Sequence, residues 1–157
     1  MQQRFYSAQD GHHLQLIAPK DITGGALSPA FAMKLYAHAS ILIAVGASAA
    51  AFTKIIVNEC TDAAGDGATA IPFDLFKAET ANTDVLSART AVLAAGFAPS
   101  AVDDIFYVIE IDANQLDQGF PYLQLSLTNG TNSVIAHAHA ILSGSRYAGD
   151  QSPTVLA

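Results

Sequence analysis

The chain is predicted to be all-β and mainly antiparallel: a β-sandwich or jelly-roll-like barrel of about seven or eight strands, with an extended N-terminal arm and at most one short helix. Two observations predict this. The stretch from Asp104 to Tyr147, DIFYVIEIDANQLDQGFPYLQLSLTNGTNSVIAHAHAILSGSRY, holds three runs rich in β-branched, aromatic and aliphatic residues. They are Ile105–Ile111, Tyr122–Thr128 and Val134–Leu142, joined by turn-rich links, and they are expected to form an antiparallel meander. Nor does the sequence anywhere alternate strand and helix in the manner that builds a parallel sheet.

The elements follow in order. Met1–Ser7, with Arg4, Phe5 and Tyr6, reads as an extended arm with aromatic anchors. The arm is assigned to residues 1–23, a single β domain to 24–148 and a C-terminal tail to 149–157. Within the arm a short strand is expected at Leu14–Ala18. Pro19–Pro29 is loop-like, flexible at Gly24–Gly25, and Ala30–Tyr36 reads as a weak strand or a short helix.

Leu35–Thr53 carries no charge and is flanked by Lys34 and Lys54, a length that just spans a bilayer as a helix. His38, Ser40, Gly46, Ser48 and the many alanines argue instead for two buried strands, His38–Val45 and Phe52–Cys60, joined around Gly46–Ala51. In Phe52–Cys60 both alternating sides contain apolar residues, so both sides are expected to be partly covered. The turn TDAAGDGATA follows, then a strand at Ile71–Lys77 in which Pro72 calls for an edge or a bulge. Glu79–Pro99 is read as a loop with at most a short helix. The alternative is a helix over Asp84–Ala95, capped by Thr83 or Asn82 and stopped by Gly96 and Pro99.

Composition bounds the function. At 157 residues the chain fits one domain. Hydrophobic residues make up 51% and charged residues 13%, against a usual charged share of about 25%. So little charge implies that other chains cover part of the surface. The net charge of −7 is uneven. Residues 59–117 hold eleven acids against Lys77 and Arg89, a balance of −9, and the rest of the chain balances at +2. Nucleic acid is therefore not an expected partner, and the near-neutral flanks are the better candidates for protein contact. Cys60, the one cysteine, forbids an internal disulfide and is expected to be a buried, inert thiol. The opening MQQRFYSAQDGHH lacks the apolar core of a signal peptide, so export is not expected.

No catalytic motif survives inspection. Asp62-Ala-Ala-Gly-Asp66-Gly67 resembles the start of a calcium loop, but its third position is Ala64 and its twelfth Phe73 where acids are required. A hairpin turn is expected there. His137 and His139 share one strand face and, with His38, could supply three imidazoles to zinc. Nothing in the sequence brings His38 to them, and packed or interfacial histidines are expected. His12–His13, beside Gly11, reads as exposed loop. Gly46-Ala-Ser48-Ala-Ala50 lacks the second glycine of a nucleophile elbow. Glu110 and Asp112 share a strand face and read as a solvated stripe rather than a facing carboxylate pair. No enzyme activity, cofactor or metal is expected.

A pattern of turns and strands remains. An acid precedes Cys60-Thr-Asp62-Ala-Ala-Gly65. Phe106-Tyr-Val-Ile-Glu110-Ile-Asp112, Leu116-Asp117 and Gly119-Phe120 follow, and Ile141-Leu-Ser-Gly-Ser-Arg146-Tyr147 closes it. Over roughly Ser40 to Tyr147 this resembles small structural proteins of tailed bacteriophages, several of which are decoration (cement) proteins of the capsid. The resemblance implies a non-enzymatic virion subunit, assembled in the host cytoplasm, that binds the outer capsid surface and stabilises the lattice of the major capsid protein. It also implies a homo-oligomer, a trimer by preference, with no nucleic-acid or membrane partner. Alternatives are a head-completion, tail or fibre-associated subunit, or a small metal- or ligand-binding barrel. Arg4, Phe5, Tyr6, Arg146 and Tyr147 are the expected interface residues, because aromatic and arginine side chains dominate interface energy.

Overall fold

A computed structural model describes residues 6–48 and 52–146. The strands, in chain order, are β1 (His12–Asp21), β2 (Ala26–Leu27), β3 (Phe31–Ala32), β4 (Tyr36–Ser48), β5 (Lys54–Cys60), β6 (Thr69–Ala70), β7 (Phe73–Ala78), β8 (Thr90–Val92), β9 (Ile105–Asp112), β10 (Tyr122–Thr128) and β11 (Val134–Ser145). A four-residue helix, α1 (Ser7–Asp10), precedes β1, and a single 3₁₀ turn occupies Ala113–Gln115. The large sheet runs β1-β11-β4-β9-β7-β8 and the small one β2-β10-β5-β6, with β3 also paired to β10. All these pairings are antiparallel. The architecture is an all-β sandwich of two packed sheets, with no closed barrel.

Strand alternation builds the core. On β4, Ala39, Ile41, Ile43 and Val45 point inward; on β9, Ile105, Tyr107, Ile109 and Ile111 do. β11 contributes Val134, Ala136, Ala138, Ala140 and Leu142, each at most 1% exposed. From the small sheet Leu123, Leu125, Leu127, Ile55 and Val57 close the other side. Phe31, Met33, Tyr36 and Phe52 complete the same apolar cluster. Burying a side chain of this size is worth about 1.5–3 kcal/mol.

The long excursion between β7 and β9 is pinned at its base. The buried Tyr107 hydroxyl donates to Glu79 Oε1 at 2.9 Å and accepts from the Ser100 N–H at 2.9 Å. The Phe97 ring meets Tyr107 edge-on at 5.1 Å and Phe73 at 6.2 Å. Phe97 also exchanges both backbone hydrogen bonds with Ile55, at 2.9 and 3.1 Å. Gly96 makes that approach possible: its φ is +73°, and a Cβ there would lie 2.2 Å from the Ile55 carbonyl oxygen, so only glycine fits.

Several expectations are corrected. The three runs of the 104–147 stretch are strands but not a meander. β9 and β11 lie in the large sheet on either side of β4, while β10 lies in the small sheet. The links before and after β10 cross the sandwich instead of folding back as hairpins. The expected arm over 1–23 gives way to strand in its second half, because residues 12–21 form edge strand β1, paired with β11 from His12↔Leu142 to Asp21↔Ile135. His12 and His13 are therefore strand residues, not loop. β7 starts after Pro72 and lies between β9 and β8, so proline forces neither an edge nor a bulge. The loop reading of Glu79–Pro99 holds apart from the short strand β8, and the alternative helix over 84–95 does not form. The uncharged stretch is β4 up to Ser48, and among the described residues no helix is long and apolar enough to cross a membrane. The 62–67 turn is the hairpin connection from β5 to β6, with Asp62 Oδ1 accepting the Ala64 and Asp66 N–H groups at 3.0 and 3.1 Å.

Neighbouring residues of β4 separate the two faces. Truncating inward Ile43 to alanine is expected to cost about 2–5 kcal/mol. Truncating outward Leu42 is expected to cost under about 1 kcal/mol. Denaturant unfolding of the two variants measures both, and equal losses would contradict the face assignment.

Candidate functional site

The outer face of the large sheet gathers most of the polar groups singled out in the sequence. Its rows follow from register. Asp112, His38 and Ser143 lie abreast on β9, β4 and β11. Next come Asp74, Glu110, Ser40, Ile141 and His13 across β7, β9, β4, β11 and β1. Phe76, Val108, Leu42, His139 and Gln15 form the third row, and Phe106, Ala44 and His137 share the fourth. The middle of this face is apolar and only half-buried, whereas a sheet face turned to water is ordinarily polar.

At one end His38 is clamped between two carboxylates. Its Nδ1 lies 2.7 Å from Asp112 Oδ1 and its Nε2 2.7 Å from Glu110 Oε2. With an acceptor on each nitrogen, both must carry protons, so the ring is an imidazolium. The hydrogen bond to Glu110 leads in raising its pKa to about 9, the bond to Asp112 and both negative charges adding to it, against burial, which lowers it. The Ser40 hydroxyl donates to the same Glu110 oxygen at 2.5 Å. Hydroxyl and imidazolium thus both donate to one carboxylate oxygen. The imidazolium offers the serine no lone pair, and the hydroxyl proton points instead at a Glu110 carboxylate already shared with that cation. Glu110 and Asp112 share a face as expected but hold a cation rather than forming a solvated stripe.

At the β1–β11 side lies a row of imidazoles. His13 stacks on His139 at 6.2 Å between centroids, and His139 lies 5.7 Å from His137. Burial, followed by the neighbouring His137 and His13, holds His139 below its ordinary pKa. The third imidazole near His137 and His139 is thus His13, not His38. Among the described residues no group of three or more His, Cys, Asp or Glu is arranged to hold a metal ion. Cys60 is buried and unpaired, and burial pushes its thiol pKa up.

The two expected interface residues that are described, Tyr6 and Arg146, lie at one end of the large sheet. Tyr6 is 51% exposed just ahead of β1. Arg146 is exposed just past β11, its N–H donating to the Leu35 carbonyl at 2.9 Å. Arg146 also flanks a shallow cleft of about 200 Å³ with Lys34, Leu116 and Phe120. Arg4, Phe5 and Tyr147 fall outside the described residues. Sequence reasoning missed the apolar residues at the opposite end: Val85 is 68% exposed, Leu86 43% and Val102 38%, while Leu93, just past β8, is 79% exposed. It also passed over the outer-face set Phe76, Val108 and Leu42. The signal was there, since β9 is apolar in both phases of its alternation.

The His38 clamp has a defined pH signature. Its folded pKa is raised from 6.5 to about 9. Its stabilisation is therefore complete below about 6.5 and is lost as pH rises through about 9. Thermal melts of the wild type and His38→Gln should differ most near pH 6 and converge toward pH 10. A difference that does not change with pH would contradict the clamp.

No family model, no curated protein and no solved structure matches the chain.

Proposed function

We propose that the chain is a non-enzymatic structural subunit of a tailed-phage virion, a decoration protein that binds the outside of the capsid and braces the major capsid protein lattice. The observation that carries this reading is the placement of the exposed apolar side chains. Apolar side chains reach the surface on the outer face of the large sheet, where Phe76, Val108 and Leu42 are half-buried and Ile135 is exposed, and on the excursion bearing Val85, Leu86 and Val102, while exposed Leu27 on β2 lies apart from both. Exposed apolar patches of this kind mark contact with other macromolecules. The body behind them is a hydrogen-bonded sandwich in which no described buried side-chain polar atom lacks a partner. A rigid body limits the ordering cost of docking. The resemblance of the turn and strand pattern to phage structural proteins is what suggests the lattice, and the low charge of the chain agrees with a surface covered after assembly.

In this reading the excursion and the Tyr6–Arg146 end are the candidate contacts with the lattice. Quantitative mass spectrometry of purified virions of the phage carrying the gene tests it. Hundreds of copies, comparable with the major capsid protein, are expected. A handful would place the protein at the neck or tail, and absence would end the virion reading. The triple variant Val85→Ser, Leu86→Ser, Val102→Ser should lower capsid occupancy by at least about tenfold. Its unfolding midpoint should change little, since exposed substitutions usually stay within about 0.5 kcal/mol each. Unchanged occupancy would remove the excursion from the interface.

A further inference from the structure

The two ends of the sandwich carry opposite chemistry. Strand β9 runs from one to the other, about 23 Å from Ile105 to Asp112. At its start two segments of the excursion lie together, joined by the Asn82 N–H on the Asp104 carbonyl. In each, acids stand beside an exposed aliphatic side chain: Asp84 before Val85 and Leu86, Asp103 and Asp104 after Val102. The cations of this region are already paired, Lys77 with Glu79 and Arg89 with Asp74. Asp103 accepts the Ser48 N–H at 2.7 Å. Asp84 and Asp104 are exposed, and among the described residues neither carboxylate has an ion pair.

Past the end of β9 lies the cleft of about 200 Å³, lined by Met33, Leu116, Phe120 and Pro121 and flanked by Lys34 and Arg146. Among the described residues neither of these two cations has an ion pair. Asp117 also lines the cleft, and Asp112 lies on the far side of Arg146. Asp112 is held by His38 at 2.7 Å. Unpaired cations are therefore in excess beside an apolar hollow, as unpaired acids are in excess beside apolar side chains at the other end.

We propose that copies of this chain join head to tail, the Asp84–Leu86 corner of one copy seated in the Lys34–Arg146 cleft of the next. Leu86 enters the hollow between Leu116 and Phe120, and Asp84 lies against Lys34 and Arg146. The apolar contact alone would accept many partners; the charges select this one. Excursion on excursion sets acid against acid, and cleft on cleft sets cation against cation, so a two-fold pairing through either end is disfavoured. A head-to-tail contact closes into a ring where the rotation between copies allows and otherwise continues as a filament. A ring of three is the closed form that the phage resemblance implies. The inference does not rest on the virion reading: it brings together the two ends that the lattice reading treats as separate contacts.

Sedimentation of the full chain tests it. The joint is small, and small interfaces are weak, so the wild-type mass should rise above one chain as the concentration approaches about 1 mM. An excursion variant, Asp84→Ser with Leu86→Ser, and a cleft variant, Lys34→Glu with Arg146→Glu, should each stay at the mass of one chain with an unchanged circular dichroism spectrum. All four positions are exposed, where substitutions seldom disturb folding. Mixed in equal amounts, the two variants should form a complex of two chains and nothing larger, because each keeps the half of the joint that the other lacks. That rescue also shows that both variants are folded. A wild type of single-chain mass throughout, a variant that still associates alone, or a mixture that stays at single-chain mass would overturn the proposal. Virion copy number plays no part in these measurements, so their failure leaves the decoration reading standing.

Discussion

The structure depends on the register of β4. This thirteen-residue strand is bonded along its length to β9 on one side and β11 on the other. Its alternation assigns every neighbouring side chain to core or surface. With Ile41 opposite Ile109 and Ala140, the inward rows are apolar and dry. A one-residue slip would turn His38 and Ser40 into the core and Ile41 and Ile43 into water. The cost would be severe, because His38 is an imidazolium, and an unpaired cation in an apolar core is among the most expensive errors a fold can make. The charged clamp and the isoleucines thus specify the same register from opposite faces. One constraint sets both the core and the outer surface.

A second constraint fixes the excursion between β7 and β9. Its base is tied by the Tyr107 hydroxyl to Glu79 and Ser100, and its return by the paired backbones of Phe97 and Ile55. Asn82 and Asp104 adopt positive φ of 55° and 54°, and the Asn82 N–H donates to the Asp104 carbonyl, joining departure and return. Asparagine and aspartate are the non-glycine residues that best tolerate this region, so both turns form at little cost. Val85, Leu86 and Val102 are therefore displayed from a fixed base. For a contact surface this matters more than area, because ordering a loose loop on binding costs much of what its apolar residues return.

Legibility followed the physics of alternation. β4, β5, β9, β10 and β11 could be read because period-two patterns over seven or more residues report a pleated, half-buried surface. The sheet to which each strand belongs could not be read. Alternation says which residues face the core, and in a sandwich both sheets face the same core. The links flanking β10 carry turn residues that serve a hairpin or a crossing equally well, so a meander was the natural but incorrect reading. The hairpin at Asp62–Gly67 was legible because its hydrogen bonds are local. The partner of His38 was not, since Glu110 and Asp112 lie more than seventy residues away and meet it only through β4–β9 pairing. His13 escaped for the same reason: it reaches His139 only across the β1–β11 pair. The two-residue strands β2, β3 and β6 are products of packing, too short for any local pattern to announce.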